Sequence, residues 1–153
     1  GFDGGNGYIE KDSGTSFPRS YLWLQCGDFL RPCSVMLSIA DIPLGGFRFR
    51  GCICAVVYKG REYRLATYSG VRIHVAQAGH VRLSQGPLLL EADVSPSGAG
   101  HVLSSPVRGR MSGSIRESCA AALHLRLWEG GREVFDLNSP HAAFEYVPPS
   151  GRG

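Results

Sequence analysis

Apolar and polar residues alternate with a period of two along much of this chain. The pattern runs over residues 35–40, 52–58, 61–68, 71–78, 80–84, 88–94, 121–128, 133–137 and 142–147. That spacing sends successive side chains to opposite faces of an extended backbone, so each segment predicts a β-strand with one face turned to a core. Residues 21–25 add another strand, in which Tyr21 and Trp23 share one face and Leu22 and Leu24 the other, so both faces look buried. The pairs Lys59-Gly60, Ser69-Gly70, Ala78-Gly79, Ser97-Gly98 and Gly130-Gly131 supply residues that tolerate positive φ in tight hairpins. Consecutive strands are therefore expected to pair as a meander. Residues 114–125 also admit a helix, with Ser114 as cap and Glu117 three positions on. The alternation of Leu123, Leu125 and Leu127 with His124, Arg126 and Trp128 favours a strand, preceded by a short helical turn at most. Residues 96–100 read as a loop, and 1–6 and 148–153 as frayed ends.

Many short antiparallel strands must dispose of their edges, and closure into a barrel does so. The expected fold is all-β, an antiparallel up-and-down barrel of about eight to ten strands, whose interior is either filled or holds one small ligand. Ala55, Ala66, Ala76, Ala92, Ala120 and Ala122, read as small inward residues, suggest space inside.

Composition narrows the class of function. With 153 residues, 43% of them hydrophobic, and 21 glycines, the chain suits one turn-rich β domain with a core that needs no disulfides. The net charge of +3 comes from scattered Arg, with nothing denser than Arg48 and Arg50 or Arg108 and Arg110. Such a pattern suits solvated strand faces better than a phosphate-binding surface, so no nucleic-acid partner is expected. Five cysteines, with Cys52 and Cys54 on the same face of one strand, read as reduced thiols of a cytoplasmic protein. His74, His80, His101, His124 and His141 form no ligand pairs at finger-like spacing, so no metal is expected. No cationic leader precedes an apolar run, and no stretch is long and apolar enough to span a bilayer, which leaves peripheral membrane contact open. Neither a nucleophile elbow nor a Walker loop nor a dinucleotide fingerprint is present, and residues 109–113 read as a polar loop.

Residues 7–25 carry the most chemistry: Gly-Tyr-Ile-Glu-Lys-Asp at 7–12, then Phe17-Pro18, then Tyr21-Leu22-Trp23-Leu24-Gln25. This order resembles the tocopherol cyclase family, in which it opens the second of two lipocalin-like β domains. The apolar strand, Lys-Gly turn, Glu-Tyr-Arg-Leu-Ala-Thr-Tyr strand and Ser-Gly turn of residues 50–70 resemble the family's central hairpin. The Arg-Glu-Ser-Cys run at 116–119 and the Ala-Ala-Phe-Glu run at 142–145 continue the match, in order. Two departures stand out: Ser13 occupies a position where the family usually has Trp, and the Glu-Gly-Trp-Tyr signature of the first β domain is absent. The resemblance implies one lipocalin-like domain over residues 1–153, with its core in 7–147, as one half of a two-domain architecture. The missing N-terminal β domain would then be a partner.

Tocopherol cyclases, as the resemblance implies, add a phenolic oxygen across the double bond of a prenyl tail. Such a ring closure needs an acid for the alkene, an acceptor for the phenol proton and π faces near the cation; it needs no cofactor or metal. Asp12 and Glu117 are the candidate acids. Asp12 instead suits a turn cap beside a solvated Glu10, and Glu117 and Glu145, either of which could face the interior as an acid, instead suit an ion pair with a neighbouring Arg such as Arg110 or Arg64. Phe17, Tyr21, Trp23 and Tyr68 are candidates for an aromatic ligand wall, or for core packing. Gln25 and Glu145 complete the candidate ligand-binding set, and His124 and His141 could act as bases or sit on the surface. Three readings follow: a domain that binds a hydrophobic prenylated quinol or lipid-like molecule in the barrel, an intramolecular cyclase (an isomerase or lyase) of such a molecule, and a filled barrel that serves as a scaffold.

Overall fold

A computed structural model describes residues 7–11, 17–96 and 100–149. Ten strands run in order: β1 (Tyr21–Cys26), β2 (Cys33–Leu44), β3 (Phe47–Tyr58), β4 (Arg61–Ala66), β5 (Arg72–Gln77), β6 (His80–Gln85), β7 (Leu88–Pro96), β8 (His101–Val107), β9 (Arg110–Glu129) and β10 (Arg132–Val147). A single 3₁₀ turn, Thr67–Ser69, separates β4 from β5. The fold is all-β and antiparallel, a curled half-barrel of the lipocalin-like kind, with spatial order β4-β3-β2-β1-β10-β9-β7-β6-β5 and β8 beside β9. The chain closes on itself through β10, which pairs with β1 from Tyr21↔Val147 to Gln25↔Ala143.

Turn chemistry explains the hairpins. Lys59 (φ 50°) with Gly60 (φ 81°), and Gly130 (φ 59°) with Gly131 (φ 78°), hold the left-handed geometry that matches the twist of the flanking strands. Ser69-Gly70 behaves differently from expectation. Gly70 caps the 3₁₀ turn, donating its N–H to the Thr67 carbonyl, and β4 does not pair with β5. A side chain bridges that seam instead. Gln85 of β6 accepts the Ala66 N–H at 2.9 Å and donates to the Arg64 carbonyl at 3.1 Å, as a neighbouring backbone would.

Two expected boundaries shift. Residues 110–120 belong to β9, which pairs with β8 and then with β7, so 109–113 form a hairpin and its first strand rather than a polar loop. The segments 133–137 and 142–147 are one strand, interrupted by register shifts around Ser139 and Ala142. The strand reading of 114–125 holds, with no helical turn before it.

The inner face carries the core: Leu22, Leu24, Leu37, Cys54, Val56, Leu65, Leu83, Leu90, Leu125 and Leu127, all at 2% exposure or less. A recess between Leu22, Ile39, Ala76 and Tyr146 at one mouth measures about 10 Å³, the scale of a single water. The small residues do not hollow this interior. Ala92 packs within the core, while Ala55, Ala120 and Ala122 alternate out of register with the buried positions and take the outer face.

Candidate functional site

Because Leu22 and Leu24 occupy the inner face of β1, Tyr21, Trp23 and Gln25 are turned to its outer face. The N-terminal segment lies over that face. Phe17 stacks on Tyr21 with ring centroids 5.9 Å apart, and Tyr8 lies 6.4 Å from Trp23. Tyr21 is thereby reduced to 8% exposure although it lies outside the core, which is why both faces of this strand looked buried.

Three glutamates approach these aromatics. Glu10 accepts from the Tyr8 hydroxyl at 2.7 Å and from Trp23 Nε1 at 3.2 Å. Glu145 sits opposite Trp23 in the β1–β10 register and accepts from the Tyr21 hydroxyl at 2.8 Å. Glu117 of β9 is the cross-strand partner of Glu145. Burial pushes the Glu145 carboxyl above the usual range and the Glu117 and Glu10 charges add to this, while the Tyr21 hydrogen bond opposes it. Burial likewise raises the Tyr21 phenol, helped by Glu145. The expected pairing with Arg does not occur among the described residues: Arg64 binds Glu62 at 2.6 Å, and Arg110 sits opposite Val107 at the β8–β9 turn. A half-buried carboxyl that holds its proton more tightly beside aromatic rings is a better candidate proton donor than a solvated or paired one.

An apolar groove of about 370 Å³ lies next to this cluster, lined by Ser38, Ala40, Ile42, Phe49, Gly51, Cys52, Ile53, Thr67 and Tyr68. It shares its edge with β1, since Tyr21 pairs with Ala40 and Trp23 with Ser38. Gly51 keeps its floor open: a Cβ there would meet Ile42 Cδ1 at 2.6 Å. Thr67 fixes the far wall, accepting the Cys52 N–H at 2.7 Å and so placing Tyr68, whose hydroxyl receives a long contact from Arg64 at 3.4 Å. Ile42, Phe49 and Ile53 remain 38%, 41% and 45% exposed, an apolar patch of a kind that soluble surfaces usually reserve for binding. The outer face across the barrel is different in kind. There Arg82, Glu91, Arg126 and Asp93 form a chain of ion pairs over β6, β7 and β9, and His80 hydrogen-bonds to Asp93 at its end.

Of the candidate residues, Phe17, Tyr21, Trp23, Glu117 and Glu145 come together, and Tyr68 lines the neighbouring groove. Gln25 lies further along β1, opposite Met36 and Ala143. Asp12 lies outside the described residues. His124 and His141 leave the site and have companions the sequence did not reveal, Asp136 at 2.7 Å and Asp28 at 2.8 Å. Ile42, Phe49, Gly51 and Ile53 were missed. Their signal was present, a glycine inside an apolar strand beside exposed Ile and Phe positions. Among the described residues no group of His, Cys, Asp and Glu is arranged to hold a metal ion. No helix among them is long and apolar enough to cross a membrane.

No family model matches the chain, and no solved structure matches it. Curated proteins do, two plant proteins among them. The chain is 26% identical over 162 residues to a probable tocopherol cyclase, chloroplastic, from Oryza sativa subsp. japonica, and 26% identical over 159 residues to the tocopherol cyclase, chloroplastic, of Zea mays. Each alignment covers 94% of this chain and 34% of the relative. The chain is thus similar to tocopherol cyclases along nearly all of its length, and it spans about one third of the length of the curated relatives it matches.

Proposed function

We propose that this chain is a lipocalin-like domain that binds a hydrophobic prenylated quinol or lipid-like molecule, and that the molecule lies in the outer groove of β2 and β3, beside β1, rather than inside the barrel. The groove of about 370 Å³ carries this reading, being of ligand size where the inner face is packed with Leu, Val, Cys and Phe. Glu145 lies three strand spacings from Ile53, roughly 14 Å, so an amphiphile could rest its hydroxyl at Glu145 and Tyr21 and its tail along Ile42, Phe49 and Ile53. Titrating prenyl quinols into the protein should quench Trp23 fluorescence. Ile53→Asp, which puts a charge in the groove, should abolish the quench while the fold persists. A parent protein that is never quenched, or an Ile53→Asp variant that binds as well as the parent, would refute the reading.

The raised Glu145 carboxyl supports a second reading, a tocopherol cyclase-like isomerase. Glu145, with Glu117 as its cross-strand neighbour and with Asp12 two residues beyond Glu10 in sequence, would protonate the prenyl alkene, the phenolic oxygen would bond to the resulting cation, and the phenol proton would return to a carboxylate. The developing cation would be faced by Tyr21 and Trp23. Glu145→Gln and Glu117→Gln should then remove turnover and spare the quench. The relatives are about three times longer than the matched stretch, which supports a missing N-terminal β domain as partner to residues 1–153 and makes turnover a test for the longer protein. Four buried free thiols suit a reducing compartment such as the cytoplasm; the chloroplast label belongs to the relatives. A packed interior together with an empty groove would instead favour the scaffold.

A further inference from the structure

Two hairpins run past the sheet that supports them. β1 accompanies β2 only as far as Ala40, and β4 accompanies β3 only as far as Ile53, yet β2 and β3 stay paired to Leu44↔Phe47. Likewise β7 leaves β9 at Ala121 and β10 leaves it at Glu117, while β8 and β9 continue together to Val107↔Arg110. Strand direction puts both tips at the same end: β2 runs toward its tip, β1 runs back, β10 runs forward, and β9 runs back from its own tip.

Both tips are apolar and cationic. Phe47 is 82% exposed, shares a face with Ile42 and Phe49, and is followed by Arg48. Met111 is 65% and Val107 46% exposed, and Arg108 and Arg110 sit between them. Neither residues 42–49 nor residues 101–116 contain an Asp or a Glu. Nothing in the core requires a phenyl ring or a thioether at a turn in water. A protein partner would need two pockets at matched spacing, whereas a bilayer receives separate apolar prongs wherever they fall, and its headgroups complement the Arg residues between them. We infer that this end of the barrel docks on an anionic lipid bilayer, with Phe47 and Met111 entering the apolar boundary and Arg48 and Arg110 resting at the phosphates. The groove, whose outer residues Ile42 and Phe49 belong to the same hairpin, then opens beside the membrane. The docking does not rest on the ligand reading, because Phe47 and Met111 lie outside the groove.

Co-sedimentation of the full chain with ligand-free vesicles tests this. The protein should bind vesicles enriched in phosphatidylglycerol, bind phosphatidylcholine vesicles weakly, and release the former as salt rises. Phe47→Ser and Met111→Ser should each weaken partitioning about tenfold, and Arg48→Gln about fivefold on the anionic vesicles alone. Leu30→Ser, at a fully exposed leucine in the β1–β2 loop at the opposite end, should change nothing. Folded protein that ignores both vesicle types would overturn the inference, as would tip variants that bind like the parent or a Leu30→Ser variant that loses as much as they do.

Discussion

Replacing Gln85 by Leu should loosen the one joint of the barrel that no strand pair closes. The amide makes two contacts there, and they are unequal. The bond from the Ala66 N–H to Oε1, at 2.9 Å, protects a backbone donor of a residue that is 0% exposed, and leaving it unpaired costs about 1–3 kcal/mol. The bond from Nε2 to the Arg64 carbonyl, at 3.1 Å, is exposed, so water replaces it for roughly 0.5 kcal/mol. Together they predict a loss of about 1.5–3.5 kcal/mol in urea unfolding, or a melting temperature lower by about 3–14 °C for a domain of this size. Gln85→Glu keeps the acceptor for Ala66 and loses only the donor to Arg64, so it should fall near the parent. Hydrogen exchange should show Ala66 losing protection first. A Gln85→Leu protein within about 0.5 kcal/mol of the parent, or one in which Gln85→Glu is the worse variant, would mean that the seam is held by something else.

Further predictions concern charge, packing and thiols. Glu145 has a raised carboxyl in the folded state, so its contribution to stability is present at acid pH and is lost as pH climbs from the ordinary glutamate range through the raised value. Glu145→Gln should therefore stabilise the protein at neutral pH and give no gain near pH ~4, in urea melts across that window; an unchanged pH slope would refute the desolvation argument. Leu125→Ala removes a fully buried side chain from the inner face and should cost about 2–5 kcal/mol in the same melts. In native protein iodoacetamide should label exposed Cys119 first. Cys33 and Cys52, whose thiols burial pushes up to about 12, and the still more deeply buried Cys54 should react only on unfolding. Early labelling of Cys54 would contradict the packed interior.

The sequence by itself determined the strands, their alternating faces and most of the tight turns, because a period of two and a positive-φ residue are local signals. It lost β8 and the opening of β9 at residues 110–113, where Gly109, Gly113 and several serines imitate a loop and where the paired hairpin stands clear of any core that would impose alternation. It also divided β10 at Ser139 and Pro140, since a bulge breaks the pattern without breaking the strand. Which face of β1 turns inward was not a local matter, because Tyr21-Leu22-Trp23-Leu24 is apolar on both sides. Only the pairing of β1 with both β2 and β10 committed Leu22 and Leu24 to the core, sending Tyr21 and Trp23 outward. The same closure brought Glu145 to Tyr21 across 124 positions of chain, and Glu117 to Glu145. Tertiary structure decided those meetings, since the desolvation that raises a carboxyl depends on neighbours that no spacing in the sequence can specify.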